Sequence, residues 1–180
     1  VLFVPPVQGQ TAESWWSWVA GTNWRHPEGL DSNIEGKDNY PVVHIAFDDA
    51  EAYAKWAGRS LPTEEQFELV ARNKRNSRYA WDGNELAPDG HHHANTWQVS
   101  LPVENKQEDG HAGLAPVGCF EPNDYGVYDL IGNVWEWTSN WYNPEHDPND
   151  SLNPAGPSQQ ESFSSNHGPA IARVIKGGSF

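Results

Sequence analysis

The chain has 180 residues and a formal net charge of −14, from 25 acidic and 11 basic residues. This length fits one domain with a sizeable core. The acidic excess repels phosphate backbones and anionic membrane surfaces, and no stretch approaches the ~20 apolar residues of a spanning helix. We therefore expect no nucleic-acid partner and no membrane partner. The carboxylates are either a solvated surface or, in part, ligands for a hard cation.

The chain is rich in aromatic residues and poor in sulfur. Ten Trp, six Tyr and six Phe predict a core filled by large rings. The single cysteine, Cys119, excludes an internal disulfide and a cysteine-rich metal site, and this lack favours a bacterial cytoplasmic location. Apolar runs at both ends and the absence of methionine predict that residues 1–180 form a single domain truncated at both ends.

The N-terminal part of the chain predicts two strands separated by an irregular segment. The first four residues, VLFV, are an apolar run typical of a buried strand. Residues 11–30 are rich in tryptophan but show no period, so we expect a loop. Residues 41–47 (PVVHIAF) are apolar and β-branched, which favours a second strand.

Two helices are predicted next. An alanine-rich helix begins after an N-cap at Asp48 or Asp49, continues through Trp56 and is terminated by Gly58. The second begins after Thr63, which forms a capping box with Gln66. Its expected buried positions are Phe67, Leu69 and Val70.

The rest of the chain predicts loops with a few strands. Residues 73–122 are rich in Gly, Pro, Asn, Asp and His and predict long ordered loops and short strands. Residues 125–141 return to an aromatic and aliphatic pattern around Gly132 and Asn133, which predicts a tight turn between packed strands. A polar surface excursion over 143–170 and a final strand over 173–180 follow.

Four phrases of the chain together resemble one known family. They are WRHPEG (24–29), PVVHIAFDDAEAYAKWAGRSLPTEEQFELVAR (41–72), YGVYDLIGNVWEW (125–137) and RVIKGGSF (173–180). In this order and at this spacing they resemble the formylglycine-generating enzyme, or sulfatase-modifying factor, family. The resemblance extends from about residue 15 to the end of the chain.

The resemblance implies a fold and a reaction. The implied fold is α+β and related to C-type lectins, with long loops, little regular structure and two bound Ca²⁺ ions. The implied reaction uses O₂ and Cu(I), held by two cysteine thiolates, to oxidise the cysteine of a Cys-x-Pro-x-Arg sequence in sulfatase polypeptides to Cα-formylglycine. Soft thiolate ligands suit Cu(I). The copper cysteines are expected beyond residue 180, and Cys119 is interpreted as a small structural residue.

The resemblance also implies a first calcium site. Its ligands are the side chains of Asn95 and Asp109 and the backbone carbonyls of Thr96 and His111, since Ca²⁺ takes hard oxygen donors from loops. Spacing alone favours a simpler interpretation, in which Asp109 belongs to an ordinary turn and Asn95 is only a loop amide.

A second calcium site is implied around the Gly132 turn. Its ligands are the carboxylates of Asp129 and Glu136 and the carbonyls of Gly132 and Val134. The family often has Asn at the position of Asp129, and the added charge is expected to tighten cation binding. The alternative is that Glu136 is an exposed strand carboxylate.

Substrate-facing residues follow from the same resemblance. Ser179 and Trp135 match positions that line the active-site groove, and Trp15 and Trp16 match an aromatic pair beside the peptide-binding groove. Aromatic rings give contact area to an extended peptide at low entropic cost. The alternative is that these rings belong to the core, as most tryptophans do.

Two further features bear on ligands. The run His91-His92-His93 invites a transition-metal interpretation, but a solvated loop is the favoured one because adjacent histidines rarely converge on one ion. The chain has Ser60 where the family commonly has Arg, which removes a bidentate donor and changes expected substrate contacts or local stability.

Three functional hypotheses remain at this point. The first is a sulfatase-activating oxidase with sulfatase polypeptides as substrates. The second is a catalytically silent relative that binds a peptide or another ligand on the same scaffold. The third, an iron-dependent sulfoxide synthase, would require a histidine-rich helical domain, which these residues do not contain.

Overall fold

The structure is a computed structural model that describes residues 2–4, 16–73, 79–81, 89–99, 101, 104–145, 152–162 and 172–180. These residues form strands β1 (Leu2–Phe3) and β2 (Trp16–Ser17), helices α1 (Phe47–Trp56) and α2 (Glu64–Ala71), and strands β3 (Glu136–Trp141) and β4 (Arg173–Lys176). A short 3₁₀ helix spans Gln159–Glu161. Loops connect these elements, as the composition predicts.

The two sheets are small and antiparallel. In the first, β1 pairs with β2, and Leu2 lies opposite Ser17. In the second, β3 pairs with β4 from Glu136 opposite Lys176 to Trp141 opposite Arg173, with an irregularity between Trp137 and Trp141. The predicted strands at both ends of the chain are confirmed, although β4 ends at Lys176.

Helix α1 forms where the alanine-rich pattern predicts it, but its first residues differ. Its N-cap is Ala46, and Asp49 lies inside the first turn, where its carboxylate accepts a 3.2 Å hydrogen bond from the Ala46 N–H. The N-cap prediction at Asp48 or Asp49 was therefore wrong, because these acids stabilise the first turn from within it. Gly58 ends the helix in the left-handed region, at φ 68°.

Helix α2 confirms the capping box. The Gln66 N–H donates to the Thr63 hydroxyl at 3.1 Å, and the Gln66 side-chain oxygen accepts from the Thr63 N–H at 3.0 Å. Phe67 is buried, whereas Leu69 is 63% exposed, so the prediction for Leu69 was wrong. Leu69 lies on the solvent-facing side of α2, because the rest of the fold packs against only one side of this helix.

The start of α2 is anchored on β3. The Ser139 N–H donates to the Pro62 carbonyl at 2.8 Å, and the Glu64 N–H donates to the side-chain oxygen of buried Asn140 at 2.8 Å. Lys176 on β4 pairs with Glu64 at 3.2 Å and also contacts Glu68. These contacts fix the helix against the second sheet.

Two predicted strands are loops in the structure. Residues 41–46 carry no strand pairing, and His44 sits at φ 58°, which interrupts an extended backbone. Residues 125–135 are also irregular, because Asp129, Gly132 and Asn133 all have positive φ. The partner of β3 is β4, not the residues that precede the Gly132 turn.

The described core is small and largely polar, so the prediction of a core filled by large rings was wrong. Among the described residues, Phe67 is the one aromatic residue that is buried; the other buried apolar residues are Ala54, Ala94, Ala115 and Val174. The buried polar residues are Asn73, Asn95, Gln98, Asn133, Thr138, Asn140 and Ser162. Loops carry backbone N–H and C=O groups without ladder partners into the interior, and buried amide side chains satisfy them.

Neither described helix is long and apolar enough to cross a membrane. The described part of residues 73–122 consists of turns, bends and irregular backbone, with no helix and none of the predicted short strands. A fold built in this way depends on specific side-chain contacts to hold its loops, and the candidate site contains several of them.

Candidate functional site

A buried pair of asparagines joins the regions of the two predicted calcium sites. Asn95 is 1% exposed and Asn133 is 4% exposed. The Asn95 side-chain N–H₂ donates to the Asn133 side-chain oxygen at 3.1 Å, and the Asn133 N–H donates to the Asn95 carbonyl at 2.9 Å. Asn133 also exchanges two hydrogen bonds with the backbone of Ala115, at 2.9 and 3.1 Å. The two regions are thus connected through one buried network.

Gly132 makes this connection possible. Its φ is 76°, and a Cβ placed on it would lie 2.0 Å from the Asn95 carbonyl oxygen. No side chain fits at that distance, so the two backbone segments approach each other only because residue 132 is glycine.

The four predicted ligand residues of the first site lie together. One Asp109 oxygen accepts from the Thr96 N–H at 3.0 Å, and the other accepts from the His111 N–H at 3.0 Å. Asn95 is the neighbour of Thr96 in the chain. The Thr96 carbonyl, a predicted ligand, accepts a hydrogen bond from the side-chain amide of Gln98. Two backbone N–H groups therefore orient the carboxylate within the loop.

The oxygen of the Asn95 side chain has no hydrogen-bond partner in the described part of the chain. Its orientation is set by the other end of the amide, which donates to the Gly113 carbonyl at 2.8 Å. A buried acceptor without a donor costs about 1–3 kcal/mol. A cation next to this oxygen would remove that cost, so the donor set fits Ca²⁺.

The second predicted site contains two carboxylates that lie near each other. Asp129 has φ 56° and accepts the Gly118 N–H at 2.7 Å. Burial, and to a smaller extent the negative charge of Asp129, raise the pKa of Glu136 to about 7. A cation between the two carboxylates would oppose this shift. The Val134 carbonyl lies beside Gly177, where an added Cβ would be 3.5 Å from it.

Trp135 and Ser179 lie on two segments that run side by side. The Gly132 N–H donates to the Gly177 carbonyl at 2.9 Å, and the Phe180 N–H donates to the Asn133 carbonyl at 3.4 Å. Trp135 is 56% exposed and Ser179 is exposed. The structure therefore places both residues at the surface, next to the second predicted calcium site.

Trp16 lies in a different cluster. It is 62% exposed and packs edge-on against Phe3, which in turn packs edge-on against Trp97. None of the described hydrogen bonds or ring contacts joins this cluster to Trp135 or Ser179. The prediction for Trp15 lies outside the described residues.

Cys119 is exposed and does not fill the core, in contrast to its interpretation as a small structural residue. Its sulfur lies 3.7 Å from the His111 Nε2. Neighbouring atoms partly desolvate the thiol although the residue is exposed, and this desolvation, followed by the negative charge of Asp129, raises the pKa of Cys119. The thiolate that a soft metal requires is thus disfavoured here.

The histidine run is only partly solvated. His91 is exposed, whereas the His92 side chain is 11% exposed and lies 3.7 Å from Glu108. His93 stacks on Trp81 and lies 3.2 Å from Asp89. Within the described residues, no group of three or more His, Cys, Asp or Glu side chains could hold a metal ion. The candidate calcium sites accordingly depend on carbonyl and amide oxygens as well.

Comparison with known proteins identifies the family. A profile described as the sulfatase-modifying factor enzyme 1-like domain matches residues 4–180. The chain belongs to this family. It is 47% identical over 174 residues to the formylglycine-generating enzyme of Mus musculus, an alignment that covers 96% of the chain and 44% of the mouse protein. The chain thus spans less than half the length of that relative.

One of the proteins that are similar to this chain is described as inactive. The inactive Cα-formylglycine-generating enzyme 2 of Mus musculus is 47% identical over 135 residues, which cover 74% of this chain and 42% of that protein. Among solved structures, PvdO from Pseudomonas aeruginosa has a TM-score of 0.52 at 24% identity and covers 78% of this chain and 50% of that one. This structural similarity supports the fold alone.

Sequence reasoning missed the role of Asn133, which it treated only as a turn residue. Asn133 connects the regions of both candidate sites, and its backbone carbonyl accepts a hydrogen bond from the Phe180 N–H. Its only sequence signal is a polar residue after glycine in an otherwise apolar run, and a turn explains that signal equally well.

Proposed function

We propose that the protein containing this chain modifies sulfatases by oxidising the cysteine of a Cys-x-Pro-x-Arg sequence to Cα-formylglycine. The observation that carries the proposal is the 47% identity to a formylglycine-generating enzyme over 96% of the chain. The chain covers 44% of that relative, so the similarity by itself does not assign the activity of the whole enzyme to this chain. We also propose an α+β, C-type-lectin-like fold. This part of the proposal is supported by two short helices and two small sheets that long loops connect.

The surface around Trp135 supports a polypeptide substrate. The exposed indole and the exposed Ser179 hydroxyl lie on adjacent backbone segments, which the hydrogen bonds of Gly132 and Phe180 hold in place. A rigid aromatic ring beside a polar group suits an extended peptide, because the ring offers contact area and loses little entropy on binding. In the proposal, Trp135 and Ser179 face the substrate, and Trp15 and Trp16 extend the groove.

Two Ca²⁺ ions are part of the proposal. The unpartnered Asn95 oxygen, together with Asp109 and the Thr96 and His111 carbonyls, supplies hard donors for one ion. The carboxylates of Asp129 and Glu136 and the carbonyls of Gly132 and Val134 supply donors for the other, and the cation would offset the repulsion between the two acids. Each ion would fasten long loops to the core.

The residues present do not fit a Cu(I) site. Cu(I) chemistry in the family requires two thiolates, and these 180 residues contain one cysteine, whose thiol has a raised pKa. No step of the oxidation is therefore assigned to residues of this chain. Its proposed contribution is the calcium-bound scaffold and part of the substrate surface.

A catalytically silent binding module is the second candidate. The chain is as similar to an inactive relative as to an active enzyme, with 47% identity to each, although the alignment with the inactive relative is shorter. This similarity favours the alternative. Such a protein would bind a peptide or another ligand on the same surface without oxidising it.

The two candidates differ in one assay. The protein containing this chain is incubated with calcium, copper, O₂ and a Cys-x-Pro-x-Arg peptide, and mass spectrometry measures replacement of the thiol by an aldehyde. The matched control peptide has Ala in place of Arg. We expect conversion of the first peptide only. Binding of the peptide without conversion would support the silent module and overturn the oxidase.

Calcium binding is tested separately by calorimetry on chelator-treated protein. We expect two ions to bind and the melting temperature to rise with calcium, because a ligand that binds only the native state stabilises it by mass action. Asn95→Ala should remove one of the two binding events. An unchanged melting temperature would contradict both calcium sites. The oxidation assay tests the function independently of this result.

A further inference from the structure

One buried side chain belongs to the first proposed calcium site and also contacts the turn of the second. Asn95 is 1% exposed, and its side-chain oxygen, a proposed ligand, has no hydrogen-bond partner among the described residues. Its N–H₂ group donates to the Gly113 carbonyl at 2.8 Å and to the Asn133 side-chain oxygen at 3.1 Å. Both hydrogens of the amide are therefore in use, and together they fix the direction in which the ligand oxygen points.

Asn133 lies between Gly132 and Val134, whose carbonyls are proposed ligands of the second site. It is 4% exposed, and its side chain exchanges hydrogen bonds with the Ala115 backbone at 2.9 and 3.1 Å. Its backbone N–H donates to the Asn95 carbonyl at 2.9 Å. A change in the position of Asn95 therefore acts on the turn that presents both carbonyl ligands.

The two segments are also in direct contact through their backbones. A Cβ placed on Gly132 would lie 2.0 Å from the carbonyl oxygen of Asn95 and 3.2 Å from the side chain of Thr96. A close-packed interior has little free space to absorb a displacement and transmits it instead. Movement of one ligand segment is thus passed on to the other.

Two opposing effects decide how one ion influences the other. Each ion must order the loops that supply its ligands, and an ion that orders the shared network removes part of this cost for the second ion. The two cations also repel each other, which weakens binding. The three carboxylates of the two sites, Asp109, Asp129 and Glu136, offset much of that repulsion. We therefore expect the shared ordering to dominate.

We propose that the two Ca²⁺ ions bind cooperatively and that Asn133 is the positioning residue through which each ion strengthens the binding of the other. The inference rests on the calcium sites of the proposed function and adds a coupling between them. A coupling of this kind is reciprocal, since each ion raises the affinity for the other by the same factor. Such factors are typically about 5–150, and we expect roughly tenfold here.

Calorimetry measures the coupling on the full-length protein that contains this chain, freed of metal by a chelator and titrated with calcium alone. Asp109→Asn disables the first site and Glu136→Gln the second, and each keeps the shape of the side chain it replaces. The association constants of the two variants multiply to the product expected for independent sites. In the unaltered protein, the product of the two stepwise association constants should exceed this value roughly tenfold.

Variants at Asn133 locate the coupling. Asn133→Gly keeps the left-handed backbone, at φ 63°, and removes the amide. When the same two site-disabling substitutions are repeated in this background, the excess should disappear although both ions still bind. The carboxylates are the same in both backgrounds, so their charge does not explain a difference. The matched control, Asn153→Gly, makes the same change at an exposed residue with φ 48° and should keep the excess.

Hydrogen exchange followed by NMR gives a second measurement that needs no change at Asn133. In Glu136→Gln, calcium occupies the first site alone. It should nevertheless slow exchange of the Gly132 N–H, which lies in the turn of the second site and donates to the Gly177 carbonyl at 2.9 Å. The Ser32 N–H, which donates to the Gly29 carbonyl outside both sites, is the control and should exchange at an unchanged rate.

Several results would overturn the proposal. A product equal to that of the two variants would show that the sites are independent, and a smaller product would show that repulsion between the ions dominates. An excess that persists in folded Asn133→Gly would place the coupling elsewhere. If that variant does not fold, unchanged exchange at Gly132 in calcium-bound Glu136→Gln decides against the coupling.

These outcomes are distinguishable from a failure of the proposed function. Absence of calcium binding would overturn both calcium sites and the coupling together. Independent binding of two ions would overturn the coupling and leave the calcium sites intact. Peptide oxidation enters none of these measurements, so a protein that couples its ions but leaves the peptide unchanged would contradict the oxidase alone.

Discussion

Replacement of Gly132 by alanine tests the close approach at the centre of the fold. The added Cβ would lie 2.0 Å from the carbonyl oxygen and 3.0 Å from the carbonyl carbon of Asn95. These are backbone atoms, so they cannot rotate away as the end of a side chain can. One segment must shift, and the 2.9 Å hydrogen bond from the Asn133 N–H to the Asn95 carbonyl would then be strained or lost.

The expected cost has two parts. A left-handed backbone, at φ 76°, costs an alanine about 1–2 kcal/mol. Loss of a buried hydrogen bond that leaves an N–H group unsatisfied costs about 1–3 kcal/mol. Gly132→Ala should therefore lower the free energy of unfolding by about 2–5 kcal/mol.

A matched glycine separates these two parts. Gly126 has nearly the same φ, 74°, but a Cβ placed on it would meet no atom within 4 Å. Gly126→Ala should cost only the backbone part, about 1–2 kcal/mol. Both variants are compared by urea denaturation followed by circular dichroism, in chelator and again in calcium. Equal costs for the two substitutions would refute the close approach.

Three further perturbations address the second sheet and α2. Because the pKa of Glu136 in the folded protein is about 7 and its usual value is 4.5, the contribution of Glu136 to the stability of the calcium-free protein should be largest below pH 4.5 and fall by about 3 kcal/mol as the pH rises through 7. Urea denaturation across this range measures that contribution as the difference between the protein and its Glu136→Gln variant, since the other titrating groups are common to both. A difference that does not change with pH would contradict the assignment. Lys176→Met should cost about 2 kcal/mol in the same assay, because it leaves the half-buried Glu64 without its cation and leaves Glu68 paired with Arg72 alone. The exposed Lys55→Met removes an i,i+4 pair with Glu51 and should cost clearly less. Equal losses would contradict this account. Thr63→Ala removes the capping box and should lower the free energy of unfolding by about 1 kcal/mol, which thermal denaturation would detect as a lower melting temperature. Ser60→Ala is the control and should leave the melting temperature unchanged. An unchanged melting temperature in Thr63→Ala would contradict the prediction.

The parts of the fold that local signals determine could be predicted from the sequence. The Thr63 capping box and the Gly58 helix end depend on neighbours in the chain, and both occur in the structure. The strand prediction for residues 41–47 was wrong because a β-branched pattern does not reveal that His44 adopts φ 58°. The polar core could not be predicted either, since each buried amide is defined by backbone groups far away in the chain.

The candidate sites show the same division. Spacing alone did not favour Asn95 and Asp109 as ligands, and only the family resemblance brought them forward. The structure places them in one loop cluster, because the Asp109 carboxylate accepts the N–H groups of Thr96 and His111. The buried hydrogen bond between Asn95 and Asn133 joins residues 38 positions apart, and no local pattern predicts such a contact.

The most direct test of the proposed function is the peptide oxidation assay on calcium-stripped protein before and after calcium is restored. If a calcium-bound scaffold serves sulfatase modification, mass spectrometry should find the aldehyde in the Cys-x-Pro-x-Arg peptide when calcium and copper are both present. Conversion should fall sharply without calcium, because the loops that carry Asn95 and Glu136 lose the cations that fasten them. A peptide that stays unchanged under both conditions would contradict the proposed function, and equal conversion under both would contradict the role of calcium.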